Sequence, residues 1–507
     1  MEEARLPELP LAGQPLYERL AEHYRRAIDA GALASGDRMP SVRALMERHR
    51  ISLSTALQAF RTLEDGGWLT ARPRSGYFVR RPETAAPARG PEPGAIALPP
   101  AAQYVGLNEA IAHVIAQGQA HPDALNLGGA TADAALYPGE RLQALAVRVL
   151  RRNPELLTDS GSDVGSLAYR QVVARRALQC GVTLSPQDLI VTSGGIDGLN
   201  LALRAVTQPG DAVAIETPGF SGLLQIIASL GLRALEIPAS ATTGMSIEAL
   251  AIALEAYPDV KAVVVVPHLQ NPLGSVMPDE RKQALVALCA RHAVALIEDE
   301  PYRELLEDAQ SFKPLKAWDR DGGVIHCASL NKVLAPGMRV GWMAAGRWQA
   351  RVRMFKYAQS RHNLSLPQLV AAEFIGSGDF DRHLNQLRPR LAQQRAAMAR
   401  AVARWFPAGT RLSTPVGGLV LWVEMPQGVS SERVFARALA AGIRISPGAI
   451  YSNSARFAAF IRLSCPRPMD EALEAALRAL GDIVSTTPPD ATPPSKAPGR
   501  RTRGMVP

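Results

Sequence analysis

The chain has 507 residues, 47% hydrophobic and 20% charged, with a formal net charge of +9. That length exceeds one ordinary core and predicts two or three domains of globular composition. No apolar run approaches the roughly 18 residues of a membrane span, and Met1–Arg5 lacks the apolar stretch of a secretory signal. Cys180, Cys289, Cys327 and Cys465 are scattered without metal-ligand spacing, so the expectation is a cytoplasmic protein with reduced thiols and no membrane partner. The positive charge permits contact with polyanions without requiring it.

Apolar residues recur at helical spacing from Leu16 to Ile28, and the pattern stops near Ala30-Gly31. Gly36-Asp37-Arg38-Met39-Pro40 reads as a turn into a helix at Ser41. Ile51-Ser52 starts another helix, which ends at Gly66-Gly67. Trp68–Arg72 and Gly76–Arg80 read as two strands joined by Pro73-Arg74-Ser75. Helix, helix-turn-helix and β-wing together predict a winged helix over residues 11–81, and residues 11–80 hold eleven arginines against seven carboxylates. The second helix of a helix-turn-helix presents its first side chains to the major groove. Ser52, Ser54 and Thr55 are therefore candidate donors to phosphates or base edges of a double-stranded operator. Arg43, the wing residues Arg72 and Arg74, and the wing glycine Gly76 are candidates for the phosphate backbone. A small helical packing unit with solvated arginines would share single features of this pattern; the whole arrangement favours DNA.

Residues 82–103 are rich in Pro, Gly and Ala and read as an extended linker. From 104 to 482, short β-branched runs alternate with helical patterns: 188–193, 211–216, 262–267, 293–299 and 323–329. This predicts an α/β unit with a mostly parallel sheet buried on both faces, whose sites form at the carboxyl ends of the strands. Those ends carry Thr192-Ser193-Gly194-Gly195, Asn271, Asp299 and Ser329–Lys332. Residues 483–507, with proline runs and Arg500, Arg501 and Arg503, read as a disordered basic tail.

Ser329-Leu330-Asn331-Lys332, with Arg339 seven residues on, suits an aldehyde cofactor that carries a phosphate. The Lys332 amine can condense with the aldehyde, and Ser329 and Arg339 can bind the phosphate. Pyridoxal 5′-phosphate (PLP) has this chemistry. Around it, Asp299 can pair with a pyridine nitrogen, Asn271 and Tyr302 can bond a phenolic oxygen, and Phe220 can stack on a ring. The amides at Gly194, Gly195 and Ile196 open a helix, where a phosphate is favoured. Arg462 can form a bidentate pair with a carboxylate. Singly, each also has an ordinary explanation: a solvated charge, a plain turn, a core aromatic.

Two resemblances give these residues a common context. Leu16-Tyr17, Gly36–Arg43, Ser54-Thr55, Leu63–Gly67 and Ser75–Val79 resemble the GntR-type winged helix, with Leu53 where arginine is frequent. Over roughly 105–482, the ordered series Gly194-Gly195, Phe220, Asn271-Pro-x-Gly, Asp299-x-x-Tyr302, Ser329-x-x-Lys332, Arg339 and Arg462 resembles fold-type I aminotransferases. That likeness implies a larger lobe with a mostly parallel sheet and a smaller α/β lobe. It also implies an aldimine at Lys332, a pyridinium partner in Asp299 and ring contacts from Asn271, Tyr302 and Phe220. Phosphate contacts from Ser329, Asn331, Arg339, Gly195 and Ile196, a ligand carboxylate on Arg462, and a homodimer follow as well. Asn331 stands where serine is common, Phe220 where tyrosine is frequent, and Ser160 where a tyrosine commonly precedes Gly165. The two halves joined by a linker resemble the MocR subfamily of bacterial regulators. The expectation is a PLP-dependent transcriptional regulator sensing an amino compound or PLP itself. The alternative is a genuine aminotransferase with an appended DNA-binding unit.

Overall fold

The computed structural model describes residues 15–29, 33, 36–72, 75–80, 100–104, 109–308 and 312–488. The chain divides into two compact units, residues 1–86 and 87–507.

The first unit contains α1 (Leu16–Asp29), α2 (Val42–His49), α3 (Leu53–Asp65), β1 (Leu69–Arg72) and β2 (Gly76–Val79). Ser41 and Ser52 start α2 and α3 in extended conformation, their hydroxyl oxygens accepting from Ala44 N at 3.1 Å and Thr55 N at 3.2 Å. Such caps contribute about 1 kcal/mol each by satisfying a free helix amide. Ala56, Ala59, Phe60 and Leu63 recur at helical spacing on α3 and pack with Leu20, Ile28, Leu45, Leu69 and Val79. The two strands pair antiparallel, Leu69 opposite Val79, making the wing. Its tip, with Arg74, lies outside the described residues, as do Ala30-Gly31, residue 81, residues 82–99 of the linker and the tail beyond 488.

The second unit is built on a nine-stranded sheet. Its strands are β3 (Gln103–Tyr104), β5 (Leu189–Thr192), β6 (Ala212–Thr217), β7 (Arg233–Ser240), β8 (Gly244–Met245), β9 (Val260–Val265), β10 (Ala295–Glu300), β11 (Val324–Ser329) and β12 (Gly341–Ala344), while β4 (Leu125–Asn126) lies elsewhere. The order is β3-β7-β6-β9-β10-β11-β12-β5, with β8 on β7. From β7 through β11 all neighbours are parallel; β12 runs antiparallel between β11 and β5. β5, β6, β10 and β11 are buried along their whole length, which accounts for the short apolar runs at their starts.

Helices α4 (Glu109–Ala120), α5 (Gly139–Arg152), α6 (Leu167–Gln179), α7 (Gly195–Val206), α8 (Ser221–Ser229), α9 (Ile247–Ala256), α10 (Asp279–Arg291), α11 (Gln349–Gln359) and α12 (Ser365–Gly376) accompany this sheet. The long α13 (Asp379–Trp405) leads to a smaller lobe, where β13 (Arg411–Leu412), β14 (Val420–Glu424), β17 (Phe460–Ser464) and β16 (Ser446–Pro447) form an antiparallel sheet packed with α14 (Ser431–Ala440) and α15 (Glu471–Thr486). The remaining strand, β15 (Ile443–Arg444), pairs parallel with β4. Two boundaries differ from the sequence reading. β3 begins at Gln103, inside the expected linker, because its backbone pairs with β7. The last helix continues to Thr486, past the expected start of the tail at 483, because Leu477, Leu480 and Val484 are buried in the small-lobe core. Among the described residues no helix is long and apolar enough to cross a membrane, and all four cysteines are free.

Phe60 is fully buried in the first unit, its ring 4.6 Å from that of Tyr77. Phe60→Ala is expected to cost about 3–5 kcal/mol, a large share of the stability of so small a core. Calorimetry of the full chain should show the transition of the first unit lost or strongly lowered, with that of the second unit retained.

Candidate functional site

Three strands of the large sheet, the neighbours β10 and β11 and, beyond the antiparallel β12, β5, end at one place. β10 ends in Glu298-Asp299-Glu300, and period-two alternation puts Glu298 and Glu300 on one face of the sheet and Asp299 on the other. Glu298 accepts from the backbone N–H groups of Leu315 and Lys316 at 2.7 and 3.0 Å, and Glu300 meets His326 Nε2 at 3.0 Å. Asp299, between them, lines a cavity of about 480 Å³. β11 ends at Ser329 and leads into the loop of Lys332, which lines the same cavity. β5 ends at Thr192, followed by the Ser193-Gly194-Gly195 turn that opens α7.

The turn and the loop are built around each other. Gly194 has φ of +90°, and a Cβ there would stand 2.7 Å from Asn331 Nδ2 and 3.2 Å from Arg339 Nη2, so only glycine fits. Arg339 donates to the Ser193 carbonyl at 2.8 Å, and the Asn331 backbone N–H donates to Ser329 Oγ at 3.1 Å. Asp197 accepts from Ser193 N at 2.8 Å, fixing the entry into α7. The N–H groups of the first turn of α7 have no intrahelical acceptor and carry the positive end of the helix dipole. Beside them stand a guanidinium, an amide and a hydroxyl: a set of donors suited to a phosphate.

Gly195, Ile196, Phe220, Asn271, Asp299, Tyr302, Ser329, Asn331, Lys332, Arg339 and Arg462 all line this one cavity. Gly194 stands just behind it, against Asn331 and Arg339. Phe220 precedes α8, and its ring lies over Gly222 where no Cβ could be accommodated. Arg462, from the middle of β17, is buried and donates to Asn271 Oδ1 at 2.8 Å and to the Gly128 carbonyl, while its Nε has no hydrogen-bond partner.

Electrostatics follow from burial. Desolvation, reinforced by the neighbouring Glu300, pushes the Asp299 carboxyl up to about 7, against the pull of His326 and Lys332. A cationic ring nitrogen beside Asp299 would reverse that penalty. Desolvation, with Arg462 and then Arg339, brings the Lys332 amine down to about 8. Part of Lys332 is therefore neutral, and nucleophilic, near neutral pH. Burial raises the Tyr302 hydroxyl, which stays protonated and available as a donor.

Sequence reasoning missed the opposite wall. Val114, Ile115, Gly118 and Gln119 of α4, Gly128, and Arg444, Ser446 and Tyr451 of the small lobe also line the cavity. Ser446 Oγ and Tyr451 Oη lie 2.7 Å apart, and the Arg462 guanidinium sits 5.5 Å above the Tyr451 ring. The Gly128-Gly129 pair and Ser446-Pro447-Gly448 were visible as turn signals, but nothing local tied them to Lys332.

In the first unit, Ser52, Leu53 and Ser54 expose the start of α3. Ser52 Oγ serves as the helix cap and lies 2.9 Å from Ser54 Oγ and 2.8 Å from Thr55 Oγ1, a linked hydroxyl cluster rather than three separate donors. Arg43 is exposed beside Glu47 at 3.1 Å, and the Arg72 guanidinium lies 4.3 Å over the Phe78 ring. Gly76, with φ of +95°, starts the second wing strand.

Comparison with known proteins places both units. Residues 16–79 match the bacterial regulatory proteins, gntR family, and residues 137–480 match aminotransferase class I and II. The chain is 34% identical over 473 residues to YjiR of Escherichia coli (strain K12), an uncharacterized HTH-type transcriptional regulator, covering 92% of this chain and 98% of that protein. It is 27% identical to the HTH-type transcriptional regulator TauR of Rhodobacter capsulatus, covering 87% of this chain and 90% of that one. The structure of LysN, the α-aminoadipate aminotransferase of Thermus thermophilus, complexed with N-(5′-phosphopyridoxyl)-L-leucine, superposes with a TM-score of 0.67 at 26% identity over 75% of this chain and 98% of that chain. The aminotransferase match, together with the donor set around Lys332, indicates pyridoxal phosphate as the cofactor. With a GntR-type winged helix joined to an aminotransferase class I and II fold, the chain belongs to the MocR group of HTH-type transcriptional regulators.

Proposed function

We propose that this regulator holds PLP on Lys332 and changes its grip on an operator when an amino compound, or PLP itself, occupies the cavity. The observation that carries the reading is the meeting of Lys332, Asp299, Asn271 and Tyr302 with the Gly195 helix start and Arg339 around one cavity. In this reading Lys332 supplies the covalent attachment, and Asp299 holds a proton on the ring nitrogen. Asn271 and Tyr302 bond the ring oxygen while Phe220 covers the ring. Ser329, Asn331, Arg339 and the Gly195 and Ile196 amides, presented by the Gly194 turn, take the phosphate. Arg462 receives the carboxylate of the incoming ligand. Bound there, PLP would supply an aldehyde that condenses with amino groups and a ring that withdraws electrons.

The exposed start of α3, with Ser52, Ser54 and Thr55, enters the major groove, while Arg43, Arg72, Arg74 and Gly76 follow the backbone. The protein acts in the cytoplasm as a homodimer, which suits two half-sites of an operator. Because α4 is, among the described residues, the first helix after the proline-rich segment and lines the cavity, a ligand touching it acts on the helix nearest in sequence to the linker. Such a ligand shifts the regulator only through differential affinity for two states. The completeness of the set around Lys332 also favours a second reading, a genuine aminotransferase carrying a DNA-binding unit. Sustained turnover of an amino donor and a 2-oxo acid distinguishes it.

Two outcomes are expected. With a duplex selected on the immobilised protein, fluorescence anisotropy should show an effector altering affinity by about fivefold or more; unchanged affinity and footprint would defeat the regulatory reading. Since the Lys332 amine is brought down to about 8, its neutral form predominates above that pH. PLP capture by the apoprotein, followed by absorbance, should therefore rise with a midpoint near 8 rather than near the roughly 10.4 of free lysine. Arg462→Met removes a neighbouring cation and should move the midpoint upward.

A further inference from the structure

The cavity presents one more guanidinium than the cofactor phosphate and a single ligand carboxylate engage in the reading above. Lys332, Arg339, Arg444 and Arg462 line it, and Asp299 is the one carboxylate among the lining residues. Among the described residues none of the three guanidiniums pairs with a carboxylate; each rests on neutral acceptors. Arg339 donates to the Ser193 carbonyl, and Arg462 to Asn271 Oδ1 and the Gly128 carbonyl. Arg444 donates from Nε to Asn126 Oδ1 at 3.1 Å and from Nη1 to the Gly118 carbonyl at 2.7 Å. The phosphate claims Arg339 and a ligand carboxylate claims Arg462. Arg444 is left, half-buried, with the hydrogens of Nη2 uncommitted among the described residues. Val114 and Ile115, one turn before Gly118 on α4, line the same cavity and give it apolar surface, and Gln119 lines it as well.

A cation beside apolar lining selects a ligand that carries methylene groups and, beyond them, an acid. We propose that the effector is an amino acid bearing a second, ω-acidic group, and that Arg444 is the residue that selects it. The inference rests on the reading of Lys332 and Arg462 given above. Arg444 also joins β15 to α4 through the Gly118 carbonyl, and a Cβ at Gly118 would come within 3.0 Å of Nη1. A ligand acid on Nη2 therefore fixes Arg444 while it holds α4.

The test uses full-length PLP-loaded protein and measures binding of L-glutamate, its one-carbon-longer homologue, L-glutamine, L-ornithine and L-norvaline by calorimetry and by the cofactor absorbance. Hydrogen exchange across α4 is followed in parallel. The better of the two diacids should bind about tenfold or more tighter than norvaline, the scale of a charge-assisted pair, and should protect α4 amides more. In Arg444→Met, which keeps the packing of the stem, the diacid-to-norvaline ratio should fall to near one. Arg444→Lys should retain part of it as a point charge. The proposal is overturned if wild-type protein binds norvaline, glutamine or ornithine as tightly as the diacids. It is overturned equally if Arg444→Met weakens all ligands alike and leaves the ratio intact, the signature of a merely structural arginine. If no amino acid disturbs the cofactor band, the reading of the Lys332 site fails with it; norvaline binding without selectivity removes the Arg444 inference alone.

Discussion

A lysine, three arginines and one buried carboxylate around a single cavity form an unbalanced arrangement, and the rest of the second unit can be read as the means of maintaining it. Removing charged groups from water is costly unless they are paired or hydrogen-bonded. Here the guanidiniums lean on carbonyl and amide oxygens, which hold them in place without cancelling their charge. Asp299 is brought toward its neutral form and Lys332 toward its free amine by the same loss of water. A bound anionic cofactor and an acidic ligand would relieve the imbalance. The fold is thereby biased toward accepting them, since their charge completes interactions that the protein leaves open.

Rigid elements hold this imbalance in register. Parallel strands bring Asp299 and Ser329 to the same end of the sheet, Asp299 pairing with Cys327 two residues before Ser329. The antiparallel β12 then joins β11 to β5, so that the Gly194 turn meets the Lys332 loop. Arg462 comes from a different sheet altogether, through the middle of β17. A site assembled across two lobes is sensitive to their separation in a way that one built within a single sheet is not.

Much of this was legible in the sequence, and for identifiable reasons. The strands showed as short β-branched runs because both faces of the sheet are covered. Asp299, rather than Glu298 or Glu300, was singled out by its spacing to Tyr302, and the alternation of β10 gives that choice its physical basis. The winged helix was readable because α3 carries its apolar residues at one spacing and its caps are serines. What escaped was non-local. Arg444 touches Gly118 across more than three hundred residues, and no periodicity encodes such a pairing. The structural work of Ser52 was equally hidden, since a capping hydroxyl and a DNA-contacting hydroxyl look alike in one dimension. The final helix outran the expected tail because burial of Val484 outweighed the polar composition that follows it.

The account stands on the covalent role of one amine. Purified protein reconstituted with PLP is reduced with borohydride, digested, and mapped by mass spectrometry, beside a Lys332→Ala sample treated identically. The phosphopyridoxyl mass is expected on the peptide containing Lys332 and absent from the variant. Recovery of that mass on a different lysine, or an unchanged yield in Lys332→Ala, would contradict the assignment.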